Sequence, residues 1–534
     1  MKLTFVGADH EVTGSCHCIE VGRKRVLIDY GMEQGINVFE NAPLPFDEAS
    51  IDYVFLTHAH VDHSGMLPRL YARGFRGQIL MTDATADLCS IMLRDCAHIQ
   101  MQEAEWKQRK KKRGAYIDDG EPIYTMEDAD GAIRLIAPFH YDRIYELCDE
   151  ISFRFTDIGH LLGSASVELW LRENGNEKKI VFSGDIGNTN QPLLRDPLPT
   201  KQADYVVMES TYGNRFHTTE RVDYVTELAK ILKETFDRGG NVVIPSFAVG
   251  RTQEMLYFLR KIKVDRLVEG WDNFDVYVDS PLAVEATGIF QKNMSECYDE
   301  ETMELIRQGI NPISFPGLKL SITSDESKQI NFDMTPKVIL SASGMCEAGR
   351  IRHHLKHNLW REESTILFVG YQAIGTLGRA LVDGVESVKL FGETIDVNAH
   401  IMTLAGISGH ADKKGLTDWI CAFENIPQRV FLVHGEDETI KSFAAYLHDE
   451  CGQTTYAPYS GTEFDLLKDE FIYEAEPVAV KKKEGTKRVT EVFARLLAAG
   501  NRLLTVIAHN EGGTNKDLAK FADQINSLCD KWDR

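Results

Sequence analysis

The chain is predicted to be an α/β protein in which a strand-rich sandwich is interrupted by a second domain built on a parallel sheet. Three observations carry this prediction. First, residues 1–83 read as short strands with turns: KLTFVGA, HCIEVG, RVLIDYG and IDYVFLTHAH. A helical, increasingly charged stretch follows from Ala84 to Arg113, and strands resume around 133–140, 151–156, 166–171 and 179–183. Second, the rhythm changes after Met208. VDYVTELAKILKETFDRGG is a helix with a glycine stop, NVVIPSF is an apolar strand, and a further helix starts near Thr252. VYVDSP at 276–281, KVILSASG at 337–344 and TILFVGY at 365–371 continue this β–α alternation, each strand ending in small or turn residues where open α/β sheets bind ligands. Third, the earlier style returns from His400 with IMTLAGISGHAD and RVFLVHGE, so the parallel-sheet domain is read as an insertion. The resulting division is 1–208, 209–395 (inserted), 396–480 (second part of the sandwich) and 481–534, a C-terminal extension read as a helical hairpin with amphipathic stretches at about 487–508 and 514–533.

Composition bounds the function. At 534 residues the chain exceeds one ordinary core, and 43% hydrophobic with 26% charged residues is the balance of a globular enzyme with no membrane span. The N-terminus reads as strand and turn and not as a secretion signal, and the ten cysteines are scattered without CxxC pairs, so a cytoplasmic location is expected. A net charge of −22 excludes a general polyanion-coating protein, because most of the surface repels phosphate. Nucleic-acid contacts must then be local. The basic runs KQRKKKR at 107–113 and KKKEGTKR at 481–488 are candidates for them, or solvated helix and tail.

The chemistry is carried by THAHVDHSG at 57–65, which places His58, His60, Asp62 and His63 directly after an apolar strand. One histidine is usually a surface or core residue, but four potential ligands in one loop have few bland explanations. Imidazole and carboxylate without thiolate suit a catalytic zinc site. The string resembles the signature of the metallo-β-lactamase superfamily, and the remaining motifs follow in family order: Asp29 in VLIDYG, His160 in DIGHLLGSAS and Asp185 in VFSGDIG. The resemblance implies an αββα sandwich and two Zn²⁺ ions, one held by His58, His60 and His160, the other by Asp62 and His63, with Asp185 bridging. Asp29 would orient a ligating imidazole. Two zinc ions ~3.5–4 Å apart activate water and clamp an in-line displacement.

The insertion narrows the substrate. MESTYGNR at 208–215, with Glu209, resembles motif A of the β-CASP nuclease branch; SGHAD, with His410, resembles motif B; FLVHGE, with His434, resembles motif C. DSPLA at 279–283, SASGMCEAGR at 341–350 and QAIGTLGR at 372–379 are also similar to β-CASP segments, so the resemblance covers about 1 to 475. It implies His434 as a further ligand of the second zinc, His410 as general acid and Glu209 as the carboxylate that orients it. Asp62 and Asp185 belong to the catalytic set as well. A histidine at motif C resembles the RNA-processing members, where DNA-repair members carry an aliphatic residue. The expected function is hydrolysis of single-stranded RNA; a DNA nuclease of the same family and a non-catalytic RNA-processing scaffold are the alternatives. Glycine-rich strand-to-helix turns offer backbone N–H groups to phosphate, which nominates Ser343, Gly344, Thr376, Gly378 and Arg379, unless those turns serve folding alone. The amphipathic C-terminal stretches are read as support for a homodimer or as packing on their own chain. His10 has no role assigned from sequence.

Overall fold

The computed structural model describes residues 1–112, 121–217, 223–480 and 515–532, except 36, 374 and 405, together with 503, 507 and 510. Residues 1–98 and 124–479 form one compact unit, and residues 99–123 and 480–534 a second. The run at 481–488 and, apart from residues 503 and 507, the first stretch of the expected terminal hairpin lie outside the described residues, as does the end of the run at 107–113. In the second unit, Asn515–Trp532 is helical.

The first unit holds three large sheets. The eight-stranded sheet runs Glu470–Tyr473, Glu463–Asp465, Lys2–Gly7, Cys16–Val21, Lys24–Ile28, Tyr53–Phe55, Gln78–Thr82, Ile136–Phe139. The seven-stranded sheet runs Thr455–Tyr456, Arg429–Val433, Tyr205–Glu209, Asn176–Phe182, Ala165–Glu173, Ile151–Asp157, Tyr145–Cys148. Strand patterns explain the layering. In KLTFVG and CHCIEV nearly every residue is buried, as in strands covered on both faces. Rings from the two sheets meet between them, Phe55 on Phe153 and Phe5 on Phe431, each with centroids 5.0 Å apart. Each buried phenylalanine contributes about 1.5–3 kcal/mol. On the outer face of the seven-stranded sheet, Leu416, Trp419, Ile440 and Phe443 of helices Lys413–Cys421 and Asp437–Cys451 pack with Val181, Val206 and Met208. The fold is thus the α/β sandwich that the sequence predicts.

The chain leaves the seven-stranded sheet at Glu209 and returns to it at Arg429, whose strand pairs in parallel with Tyr205–Glu209 from Tyr205↔Arg429 to Glu209↔Val433. Between these strands lies an all-parallel six-stranded sheet in the order Leu318–Ser321, Asp275–Asp279, Lys337–Ser341, Val242–Pro245, Thr365–Phe368, His400–Thr403. One expectation is corrected here. His400–Thr403, read from sequence as the return to the sandwich, is the edge strand of the parallel sheet, paired with Thr365–Phe368. A four-residue strand does not encode its partner; pairing is decided by the surface left open beside it.

Candidate metal centre

The candidate site residues sit just beyond the C-terminal ends of strands. His58 and His60 follow Tyr53–Phe55, His160 follows Ile151–Asp157, Asp185 follows Asn176–Phe182, and His434 follows Arg429–Val433. Asp62 and His63 lie in the helical turn Val61–Ser64. Asp29 and His434 adopt positive φ, 58° and 50°, which is uncommon outside glycine and turns both side chains sharply off their strands.

Two sets of donor atoms converge on one carboxylate. In the first, His60 Nδ1 lies 3.1 Å from His58 Nε2 and 3.2 Å from His160 Nε2, and both Nε2 atoms are 3.5 Å from Asp185 Oδ2. In the second, His63 Nε2 lies 3.2 Å from His434 Nε2 and 3.3 Å from Asp185 Oδ1, and Asp62 Oδ2 is 3.7 Å from His434 Nε2. Asp185 faces both sets with different oxygens. This arrangement fits metal ions: ring nitrogens face one another where hydrogen bonds between them satisfy little, and the wholly buried Asp185 Oδ1 has no hydrogen-bond partner.

The charge states of His58, His60 and His160 agree with that role. Burial, reinforced by neighbouring imidazoles, pushes His58 and His160 well below the usual histidine range, leaving neutral rings with free lone pairs. Burial lowers His60 as well. At His63, burial is outweighed by Asp185 and Asp29, which raise it. Burial acts to raise Asp185 too, but His434, His63, His410 and His58 hold it well below the carboxylate range. Asp62, despite burial, is held at about 2 by its bond to His434 and by His63.

The donor rings are oriented from behind. Asp29 Oδ2 accepts from His63 Nδ1 at 2.7 Å, leaving Nε2 to face the centre. The other Asp29 oxygen accepts from the Thr57 amide, and the Thr57 hydroxyl bridges Asp29 and His58 Nδ1 at 2.9 and 3.1 Å. His160 Nδ1 donates to the Gly409 carbonyl, and His434 Nδ1 meets the Thr211 hydroxyl, both at 3.1 Å. Sequence reading missed Thr57, Thr211 and Gly409. The only signal was their place beside motif residues, and Gly409 acts through its carbonyl, which no side-chain pattern reveals. His10 Nδ1 pairs with Asp437 at 2.7 Å and the ring stacks on Tyr459, so it joins neither set.

His410 stands beside the centre. Its Nδ1 lies 3.1 Å from Glu209 Oε1 and its Nε2 3.8 Å from Asp185 Oδ2. Glu209 is itself fixed by the amides of Ile186 and Thr211, and the His410 carbonyl meets His217 Nε2 at 3.0 Å. Burial works against charging His410, but Glu209 and Asp185 together raise it to about 9.

The residues nominated for phosphate form neighbouring turns at the C-terminal edge of the parallel sheet, where Gly378 N–H donates to the Met345 carbonyl. In the turn that carries Thr376, Gly378 and Arg379 the donors are used internally. Leu377 N–H donates to Glu347 Oε1, Arg379 N–H to the Thr376 hydroxyl, and the Arg379 side chain pairs with Asp383. The cradle of free N–H groups expected from the glycine pattern is therefore absent at Leu377, Gly378 and Arg379. A carboxylate from the neighbouring turn caps the helix instead.

Residues 11–80 match the family model of the metallo-beta-lactamase superfamily, residues 252–381 the Beta-Casp domain, and residues 394–458 the Zn-dependent metallo-hydrolase RNA specificity domain. Ribonuclease TTHA0252 of Thermus thermophilus is 37% identical over 448 residues, which span 84% of this chain and 96% of that protein. The chain belongs to the β-CASP branch of the metallo-β-lactamase superfamily. Two other members of the branch, named transcription termination factor FttA, are 31% identical in Methanocaldococcus jannaschii and 29% in Thermococcus kodakarensis, each alignment covering 86% of this chain and 70% of the relative. The β-CASP match begins one residue after the start of the helix Arg251–Val264 and ends within the helix Leu377–Val382, inside the region that forms the parallel sheet. Among the described residues no helix is long and apolar enough to cross a membrane.

Proposed function

We propose that the protein hydrolyses phosphodiester bonds of single-stranded RNA, with two zinc ions at the paired donor sets and His410 as general acid. The carrying observation is the convergence of both sets on Asp185 with the His410–Glu209 pair alongside. His58, His60 and His160 would hold one ion and Asp62, His63 and His434 the other, with Asp185 shared; when bound, the ions supply Lewis acidity and acidify water at neutral pH. The chain's own residues do the rest. Asp29 and Thr57 fix the tautomers of His63 and His58, so that ligand lone pairs are preset. Glu209 occupies His410 Nδ1, which leaves Nε2, on the Asp185 side, to carry the proton delivered to the leaving oxygen.

Support for RNA comes from the names of the relatives, a ribonuclease and transcription termination factors, and from the histidine at position 434. The test is incubation of zinc-loaded protein with 5′-labelled RNA and matched DNA, with product ends mapped. Cleavage of RNA well in excess of DNA is expected. Preference for DNA, or no cleavage of either by protein with full metal content, would overturn the reading.

A further inference from the structure

We propose that Phe247 and Tyr371 are base-stacking residues for the strand that enters the site; the proposal rests on the single-stranded RNA reading above. Both are large aromatic side chains left about half exposed, 50% and 54%, at the C-terminal ends of neighbouring strands of the parallel sheet. Val242–Pro245 and Thr365–Phe368 pair in register Val243↔Ile366, so Phe247 and Tyr371 leave adjacent strand ends. The turn at Gly344 lies with them. A Cβ at Gly344 would come within 3.3 Å of the Phe247 ring, and Gln372, next to Tyr371, donates to the Gly344 carbonyl at 3.1 Å. Closeness to the centre comes from the segment that Phe247 begins. Three residues on, Gly250 faces Leu161, the neighbour of His160, and Arg251 Nη2 donates to the Ile407 carbonyl on the way to His410.

Charge explains why stacking is needed. At −22 the protein gains little from general phosphate attraction, and the donors of the nearby helix N-terminus are used internally. Aromatic faces bind any base without counter-charge, and they accept only bases free of a pairing partner. A pair of rings at the sheet edge therefore favours single strands and little sequence preference.

The experiment compares Phe247→Ala, Phe247→Leu, Phe247→Trp and Tyr371→Ala with wild type on a single-stranded RNA oligonucleotide and on copies with one abasic nucleotide at successive positions. Thermal unfolding and metal content, to which exposed rings contribute little, serve as controls for folding. Loss of either ring is expected to raise KM by about 10- to 100-fold with a much smaller change in kcat. Tryptophan should restore binding and leucine should not. One abasic position should produce the same loss as Phe247→Ala and add little to it in combination. Leucine performing as well as tryptophan, additive losses, or an unchanged KM would overturn stacking while leaving RNA hydrolysis intact. A wild type that acts on no RNA overturns both readings. A change of oligomeric size in Phe247→Ala or Tyr371→Ala would assign the rings to a protein contact and also overturn the proposal.

Discussion

His410 and His434 are both imidazoles within 4 Å of Asp185, yet their other partners separate their roles. His434 Nε2 faces His63 and Asp62, whereas His410 is tied to Glu209. His434→Ala is therefore expected to weaken zinc binding and activity together, as measured by metal titration alongside the rate. His410→Ala should keep both ions and RNA affinity while slowing cleavage by about 10²–10⁴-fold. The same variant should recover much of its rate on a phosphodiester with a nitrophenolate leaving group, which needs no proton. Glu209→Gln should show a milder form of the defect. An equal defect on both substrates, or lost zinc, would remove His410 from the acid role. The candidate ligands were legible in the sequence because H-x-H-x-D-H concentrates donors in one loop. The bonds that orient those ligands were not, since Thr57, Thr211 and Gly409 are common residues whose function comes from position alone.

At the scale of elements, two packing devices hold the loops. Gly31 lies against the turn that carries Asp62 and His63; a Cβ there would stand 1.6 Å from the Asp62 carbonyl oxygen. Gly31→Ala must displace that turn, and a shift of ~1 Å at reacting groups costs about 10²-fold in rate. Isothermal titration with zinc should show weakened binding in parallel. Wild-type affinity in this variant would mean that the turn carries its ligands elsewhere without loss. The second device is Asp279, fully buried at the end of its strand. It accepts from Ser321 and Ser327 hydroxyls, Arg350 and His354, joining four segments of the inserted region. Although burial opposes it, these bonds hold Asp279 well below the usual carboxylate range, His354 foremost. The folded pKa lies below the unfolded ~3.9, so the stabilisation is complete above that value and is lost as pH falls towards the folded pKa. Asp279→Ala should cost about 3–5 kcal/mol at pH 7 in denaturant unfolding, with the gap to wild type narrowing below about pH 4. A constant gap down to pH 2.5 would show that packing, and not charge, is what the substitution removes. The DSPLA segment was legible as a motif, but its work as a clasp was not, because its partners lie 42 to 75 residues away.

For the whole molecule, the helix Asn515–Trp532 places Leu518, Phe521, Ile525, Leu528 and Trp532 along one stripe, with Leu528 and Trp532 56% and 66% exposed. Such a stripe is expected to support self-association. A chain ending at residue 480 should therefore show fewer copies per particle in light scattering, and an unchanged number of copies would exclude the role. The sequence by itself determined the class of fold, the order of motifs and the candidate donor residues, because strand periodicity and motif strings are local properties. Only the tertiary structure decided which Asp185 oxygen faces each donor set, that His400–Thr403 belongs to the parallel sheet, and that Glu347 fills the helix N-terminus expected to take phosphate. Each of these depends on which surfaces meet after folding. A local pattern can supply a donor, an edge strand or a carboxylate; the distances between segments hundreds of residues apart choose its partner.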